Sequence, residues 1–403
     1  MPTAEEAFGF DPSKGKIISY DISYGLDVEI PATIGGVAVT TIGDFAFSNN
    51  DLISVTIPDS VTMIGGCAFA NNHLTNVMIG ESVTEIEEGV FQNNDLTNVT
   101  IPDSVTMIGG FAFADNHLGS VTIGESVTKI GCCAFANNHL TNVMIGESVT
   151  EIEEGVFQNN DLTNVTIPDS VTMIGRSAFA DNHLTSVKIG DSVTRIEDDA
   201  FWNNDLTSVT IPDSVTSLGS YAFAKNHLIS VTIGKSVTYI DNSVFWNNDL
   251  TSVIIPESVT SLGSYAFADN HLTSVVLPKS VISIDEDDIW HYGFKIEQVF
   301  LIDSSYSDIY CGDQILKQVD TSIKSKEFFT INLQKLYPEI DPAKVNVIEI
   351  SYCESFNYDS STGEVSIMNA SADLITLSYE YVQEEITVLK VSVPIYLRVH
   401  ELE

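Results

Sequence analysis

The strongest constraint on this chain is a 22-residue repeat that continues through eleven turns. A single column of leucines marks it: Leu52, Leu74, Leu96, Leu118, Leu140, Leu162, Leu184, Leu206, Leu228, Leu250 and Leu272. Units of fixed period bury their apolar faces only against their neighbours, so they stack in one direction. The repeat therefore predicts an elongated solenoid for most of the 403 residues.

One unit shows how each turn is expected to fold. The stretch from Leu52 to Ile57 alternates apolar and polar residues, which predicts a half-buried strand with Val55 pointing inward. Pro58 ends that strand because proline has no N–H to donate. A short helical turn around Ala68 and Phe69 is predicted to close the coil. Stacking the turns would place the strands side by side in one parallel sheet.

Two further columns are unbroken and are interpreted as structural. The first is phenylalanine: Phe47, Phe69, Phe91, Phe113, Phe135, Phe157, Phe179, Phe201, Phe223, Phe245 and Phe267. The second is asparagine, at every 22nd position from Asn50 to Asn270. The phenylalanines predict a stacked aromatic spine. Asparagine amides can satisfy backbone groups that a coil leaves open.

The string Leu-x-x-Val-x-Ile-Pro-x-Ser-Val-Thr-x-Ile-Gly-x-x-Ala-Phe resembles the leucine-rich repeat of the BspA-like, or Treponema pallidum-type, bacterial surface proteins. The resemblance covers about residues 28–290. It implies a mainly β solenoid with a parallel sheet on its concave face and short helical turns on its convex side. Residues 1–50 look like an N-terminal cap with the first turn, and residues 51–294 like the 22-residue-repeat solenoid. The family implies adhesion or ligand recognition at a cell surface.

The period ends before residue 296, and strand-like runs separated by turn signals follow. These runs are Val299–Ile302, Phe328–Leu333, Val345–Tyr352, Glu364–Met368, Leu374–Tyr381 and Val388–Val399. They predict a small antiparallel β-sandwich over residues 295–403. This segment is similar to the Ig-like modules of bacterial surface proteins.

Composition excludes several classes of function. The formal net charge of −39 argues against nucleic acid and anionic membranes as partners. No apolar run approaches the roughly 20 residues of a membrane span, and the N-terminus lacks a signal peptide. Because the family is a surface family, we expect an extracellular or cell-surface protein whose signal is missing from this sequence. No phosphate loop, nucleophile elbow or zinc-protease motif is present, which predicts a non-enzyme.

The concave sheet face is the usual ligand surface of such repeats. On it we expect any glycan or protein partner to contact five residues: Thr100, Asn142, Thr166, Lys188 and Thr210. A possible aromatic patch comprises Trp202, Trp246, Tyr221 and Tyr265, although half-buried packing is the alternative interpretation. No cofactor is expected, although calcium would suit so acidic a surface.

Six of the eight histidines alternate with aspartates in the column that precedes the leucines. Stacked side chains of this kind attract each other. A pH-sensitive ladder or weak transition-metal sites are conceivable functions, with His117 and His139 adjacent. One residue per turn makes an open row rather than a closed ligand set, so no metal site is predicted. The five cysteines are interpreted as small fillers, with a possible Cys311–Cys353 disulfide.

Two regularities of the repeat remain. Residues 67–109 and 133–175 are identical, which indicates a three-turn duplication. The turns are also of two kinds. In one kind, Asp before the leucine accompanies Ile-Pro, and in the other, His before the leucine accompanies Ile-Gly. The sequence alone gives no physical reason for that linkage. Duplication would lengthen a binding face or a spacer, so the alternative function is a structural spacer or self-assembling surface component with the C-terminal module as its interacting end.

Overall fold

The computed structural model describes residues 2–272 and 353–368 with their side chains. Beyond these it describes Ala343, Ile350 and the backbone of the strands named below. The chain divides into two compact units. The first comprises Met1–Leu250 with Tyr265–Asn270, and the second comprises Thr251–Ser264 with His271–Glu403.

The first unit opens with an antiparallel hairpin of Phe8–Asp11 and Lys16–Tyr20. Two 3-10 helices, Glu5–Ala7 and Ile22–Tyr24, and a second small hairpin, Thr33–Ile34 with Val37–Ala38, accompany it. Lys16–Tyr20 continues in parallel pairing onto the first turn at Thr41–Ile42. Fully buried Ile17 therefore covers apolar surface that the first turn would otherwise expose.

A continuous parallel ladder of two-residue strands joins successive turns of the first unit in register. Its strands are Thr41–Ile42, Met63–Ile64, Glu85–Ile86, Met107–Ile108, Lys129–Ile130, Glu151–Ile152, Met173–Ile174, Arg195–Ile196, Ser217–Leu218 and Tyr239–Ile240. Val61 and Ile64 are fully buried at this ladder. Continuous pairing at this position was not predicted, because two residues are too few for an alternating pattern.

The predicted strands also form in most turns. They are Asp27–Glu29, Ser54–Thr56, Asn76–Met78, Asn98–Thr100, Ser120–Thr122, Asn164–Thr166, Ser186–Lys188, Ser208–Thr210 and Ser230–Thr232. We call the solvent-facing surface of these strands the strand face. The prediction of one parallel sheet is wrong, since the strands fall into separate sheets of two or three.

Pairing along the strand face depends on the order of proline and glycine turns. The two-stranded sheets pair the strand of a proline turn with the strand of the glycine turn that follows, as Asn98–Thr100 pairs with Ser120–Thr122. A Cβ at Gly80 would lie 2.6 Å from the carbonyl oxygen of Pro58. Only glycine permits that approach. In addition, the Asp59 carboxylate accepts a hydrogen bond from the backbone N–H of Glu81 (3.0 Å). The proline and aspartate of one turn therefore occur together with the glycine of the next turn, because the three residues build a two-turn unit.

The predicted short helical turns are wrong. Cys67 and Asn71 mark two columns of the repeat. In these columns every residue other than glycine has left-handed backbone, with φ between 52° and 59°. The N–H groups of Cys67, Phe69 and Asn71 donate to carbonyls of the next turn at 2.8, 2.9 and 2.9 Å. A helix would instead direct these donors back along its own turn. Bonding between turns therefore replaces the helix.

The two structural columns are confirmed. The phenylalanine rings from Phe47 to Phe267 are fully buried and stacked, with neighbouring centroids 4.8–5.8 Å apart. Each asparagine from Asn72 to Asn270 is also buried. The Asn94 amide donates to the carbonyls of Phe69 and Phe91, both at 3.0 Å, and accepts from the N–H of Leu74 at 3.0 Å. The buried amides thus join adjacent turns.

The second unit contains strands Ser261–Leu262, Ser274–Leu277, Ser283–Ile284, Gln298–Leu301, Val319–Ile323, Phe328–Asn332, Val345–Ile350, Ser355–Asp359, Glu364–Met368, Leu374–Gln383 and Thr387–Val399. The six runs predicted beyond residue 296 are strands, whereas Val319–Ile323 and Ser355–Asp359 were missed. Val319–Ile323 pairs in parallel with Ile395–Val399, so a purely antiparallel arrangement is wrong for this pair. The Ig-like resemblance and the domain boundaries stay predictions.

Candidate functional site

The duplication disturbs the alternation of turns at one place. It sets the Gly124 turn directly before the Gly146 turn, so the turn of residues 140–161 has no proline turn before it. We call residues 140–161 the unpaired turn. Residues 142–145 form no strand, and within the described part of the chain their backbone groups make no hydrogen bond to a neighbouring turn. A Cβ at Gly146 would lie 3.9 Å from the Gly124 carbonyl oxygen, so the close approach is absent.

The first copy of the duplicated segment provides an internal comparison. Asn76–Met78 has the same sequence as residues 142–144 but pairs with the strand Ser54–Thr56 of a proline turn. Met78 is 60% exposed, whereas Met144 is 79% exposed. Identical residues therefore expose different surfaces because the turn before them differs.

The five predicted ligand-binding residues are all exposed on the strand face. Thr166 and Lys188 are direct partners in one two-stranded sheet. Asn142 belongs to the unpaired turn, and Thr100 and Thr210 belong to two other sheets, in which they pair with Thr122 and Thr232. The face therefore brings Thr166 and Lys188 together but divides the rest. Met144 was not among the predicted residues, although the sequence shows it as an apolar residue in a column of mainly polar ones.

The Asp/His ladder comprises Asp51, His73, Asp95, His117, His139, Asp161, His183, Asp205, His227, Asp249 and His271. The predicted attraction between neighbours is confirmed within the first unit. His73 lies between two carboxylates, with Nδ1 3.1 Å from Asp95 and Nε2 4.0 Å from Asp51. His183 and His227 repeat this arrangement, with Nδ1 at 3.3 and 3.2 Å from the following aspartate and Nε2 at 3.9 Å from the preceding one.

The ladder has one irregular step, where His117 and His139 follow each other. Their rings are stacked with centroids 5.9 Å apart and planes 18° from parallel. His117 contacts Asp95 through Nε2 (3.5 Å), and His139 contacts Asp161 through Nδ1 (3.1 Å). An open groove of about 440 Å³ lies at this step. It is lined by Asp115, Asn137 and the ladder residues Asp95, His117, His139 and Asp161. A similar groove of about 290 Å³ lies beside Asp205, His227 and Asp249, so grooves belong to the regular ladder. The duplication accounts for the unpaired turn and for the adjacency of His117 and His139.

Three of the four residues of the predicted aromatic patch come together around Lys225, which the prediction omitted, whereas Tyr265 is not part of this contact. The Lys225 ammonium lies over the rings of Trp202 and Trp246, at 4.6 and 5.7 Å from their centroids. Tyr221 meets Trp246 edge to face at 6.4 Å. The two tryptophans are half-buried, as the alternative interpretation expected, and Tyr265 is half-buried as well. Lys225 could have been found as a lysine in a column of asparagine and aspartate. Binding by this patch stays a prediction.

Cysteine and metal chemistry contribute little to the part of the chain that is described. Its cysteines, Cys67, Cys132, Cys133 and Cys353, are free thiols. Burial raises the pKa of the Cys133 thiol to about 12, so it is protonated at neutral pH. Cys311 lies outside the described residues, and so does its possible disulfide. Among the residues with described placement, no group of three or more His, Cys, Asp or Glu side chains could hold a metal ion.

Helices are short wherever the structure describes them. Glu5–Ala7 and Ile22–Tyr24 are 3-10 helices of three residues each. In the described portion of the chain, no helix combines the length and apolar character needed to cross a bilayer.

Comparison with known proteins finds a family profile that matches the repeats. The profile of the BspA type leucine rich repeat region matches residues 28–137, 84–206 and 172–294. A search of curated proteins returned no match. Together the profile matches span more than half of the chain.

Several solved structures are similar to this chain. A leucine-rich repeat protein from Bacteroides ovatus is 20% identical, with 69% of this chain and 88% of that chain covered and a TM-score of 0.49. The pneumococcal vaccine antigen PcpA is 19% identical, with coverage of 68% and 79% and a TM-score of 0.46. A leucine rich cell surface protein from Faecalibacterium prausnitzii is 26% identical, with coverage of 69% and 92% and a TM-score of 0.39.

Proposed function

The chain belongs to the BspA-type leucine-rich repeat family, and from that premise we propose that it is a non-enzymatic recognition protein that binds a protein partner through its strand face. The contact centres on the unpaired turn and includes Asn142, Thr166 and Lys188. Thr100 and Thr210 lie farther along the same face. We also propose that the protein acts at a bacterial cell surface, as the sequence resemblance implies.

The observation that carries this proposal is the break in the strand face at residues 142–145. Backbone N–H and C=O groups there lack inter-turn partners among the described residues, so they are available to a ligand or to water. Met144 stands beside them with 79% of its surface exposed. An exposed methionine next to open polar groups is typical of adaptable binding surfaces.

The surrounding charges favour a partner with basic side chains. Glu147 and Asp169 follow the strand positions of two successive turns and are exposed. The whole chain carries a net charge of −39, which attracts cationic partners and repels anionic ones. A protein segment that combines an apolar side chain with lysine or arginine matches both Met144 and these carboxylates. A neutral glycan would match the hydroxyl and amide groups alone.

The test is a binding screen of the full chain against cell-surface and matrix proteins and against a glycan array. For any protein ligand found, Met144→Ala should reduce affinity at least about tenfold, because the variant removes the apolar side chain that the partner would cover. Met78→Ala is the matched control, since Met78 has the same neighbours in sequence but lies on a paired strand. The affinity of this control variant should stay within about twofold of that of the unchanged protein.

Equal losses in the two variants would place the contact away from the unpaired turn. Ligands found only on the glycan array would replace the protein partner with a sugar. No ligand at all, together with concentration-dependent oligomers in light scattering, would favour the alternative function of a spacer or self-assembling component.

A further inference from the structure

The irregular step of the Asp/His ladder leaves one nitrogen of each of two imidazoles without a carboxylate. Along the ladder, Nδ1 faces the following turn and Nε2 faces the preceding one, as His73 shows. At the irregular step, Nε2 of His117 and Nδ1 of His139 contact aspartates on the outer sides. Nδ1 of His117 and Nε2 of His139 therefore lie on the inner sides of two near-parallel rings. Within the described residues, neither of these two nitrogens has a hydrogen-bond partner.

The outer aspartates prepare both rings for metal binding. A histidine that binds a metal through one nitrogen commonly donates the N–H of its other nitrogen to a carboxylate, which fixes the tautomer and strengthens the ligand. Asp95 and Asp161 provide that carboxylate on the two outer sides, at 3.5 and 3.1 Å. Each inner nitrogen is then left with a lone pair that is available to a metal ion.

We propose that His117 and His139 together bind one divalent transition-metal ion, of the zinc, nickel or copper type, in the groove at this step. With metal–nitrogen bonds of about 2.0–2.1 Å and a tetrahedral angle, two imidazoles on one ion have centroids about 5 Å apart. The observed 5.9 Å requires a small approach of two exposed side chains and a rotation that turns the two near-parallel rings toward one ion. Imidazole nitrogen suits these three ions, whereas calcium and magnesium prefer oxygen ligands.

The site is open, with two protein ligands and water in the remaining positions. The groove of about 440 Å³ accommodates that water or a side chain from a partner. The negative charge of Asp95, Asp115 and Asp161 around it favours a cation. Cys133 does not compete, because the raised pKa of its thiol, about 12, disfavours the thiolate that metals bind.

The duplication supplies a matched control for the experiment. His73 and His139 occupy the same position in the two identical segments, but both ring nitrogens of His73 face aspartates. Zinc binding to the full chain is measured by isothermal titration calorimetry at pH 7.5. We expect one saturable ion that is lost in His117→Asn and His139→Asn and retained in His73→Asn. Asp161→Asn should weaken binding about tenfold or more, as loss of an outer carboxylate does.

Cobalt provides a second measurement that identifies the ligands. Bound Co²⁺ should show ligand-field absorption without the thiolate charge-transfer band. Absence of saturable zinc binding would overturn the proposal. Equal loss of binding in His73→Asn, or a thiolate band with Co²⁺, would overturn it as well, because each assigns the ion to other residues.

Discussion

At the scale of single residues, each buried asparagine joins one turn to the next through its side-chain amide. Each amide combines donors and an acceptor in one side chain, and the turns leave both kinds of backbone group open at the same place. Asparagine is unusual in meeting both needs with a short side chain. The sequence identified this role because a polar residue that recurs in every turn beside an apolar core must be paired wherever it is buried.

The Asn94→Ala variant tests this role. It removes the acceptor for the buried N–H of Leu74 and the donors to the carbonyls of Phe69 and Phe91. We expect the free energy of unfolding to fall by about 2–4 kcal/mol, because buried polar groups lose their partners. Urea unfolding of the full chain followed by circular dichroism measures this.

Exposed Asn98 on the strand face supplies the control. Asn98→Ala should change the free energy of unfolding by no more than about 0.5 kcal/mol, as is usual for surface positions. If the two alanine variants were equally stable, the amide ladder would not contribute to cohesion between turns.

At the scale of elements, the effective unit is a pair of turns rather than one turn. A proline turn offers its carbonyl, a glycine turn approaches it closely, and aspartate caps the next N–H. The sequence displayed the alternation but not its cause, because the cause is a contact between residues 22 positions apart. The helical turn was predicted wrongly for a similar reason. Local propensity was outweighed by hydrogen bonds to the neighbouring turn.

Substitution of glycine measures the two-turn contact. Gly80→Ala places a Cβ 2.6 Å from the carbonyl oxygen of Pro58, so we expect the free energy of unfolding to fall by about 1–3 kcal/mol. Gly146→Ala, in the identical sequence of the unpaired turn, meets its nearest atom at 3.9 Å. It should be neutral or stabilising by up to about 1 kcal/mol.

Thermal unfolding monitored by calorimetry compares these two glycine variants directly. A loss of similar size in both would mean that the approach to proline is not what requires glycine at this position.

At the scale of the whole molecule, charge is the dominant property, with 56 acidic residues against 17 basic ones. Ion pairs are few among the described residues, and those that form are mostly exposed, as Lys235 with Asp213 is. Mutual repulsion of carboxylates therefore opposes folding over the whole chain. The sequence predicted this property completely, because net charge does not depend on the fold.

Added salt should consequently stabilise the protein. Raising NaCl from about 20 mM to about 0.3 M shortens the screening length severalfold, which weakens repulsion between exposed carboxylates. We expect Tm at pH 7 to rise by about 2–5 °C in calorimetry. A neutral osmolyte at equal osmolality is the control. A Tm that stayed constant or fell with salt would show that repulsion does not limit stability.

The sequence by itself determined the period, the buried columns, most strands of the strand face and the family, because each of these follows from which residues recur and how far apart they lie. Tertiary structure alone decided what the two identical segments 67–109 and 133–175 expose. Asn76–Met78 pairs with the proline turn before it, whereas residues 142–144 follow a glycine turn and remain unpaired. Likewise His73 lies between aspartates and His139 faces His117. The physical reason is that every turn of a solenoid is completed by its neighbour, so a site arises from the order of turns.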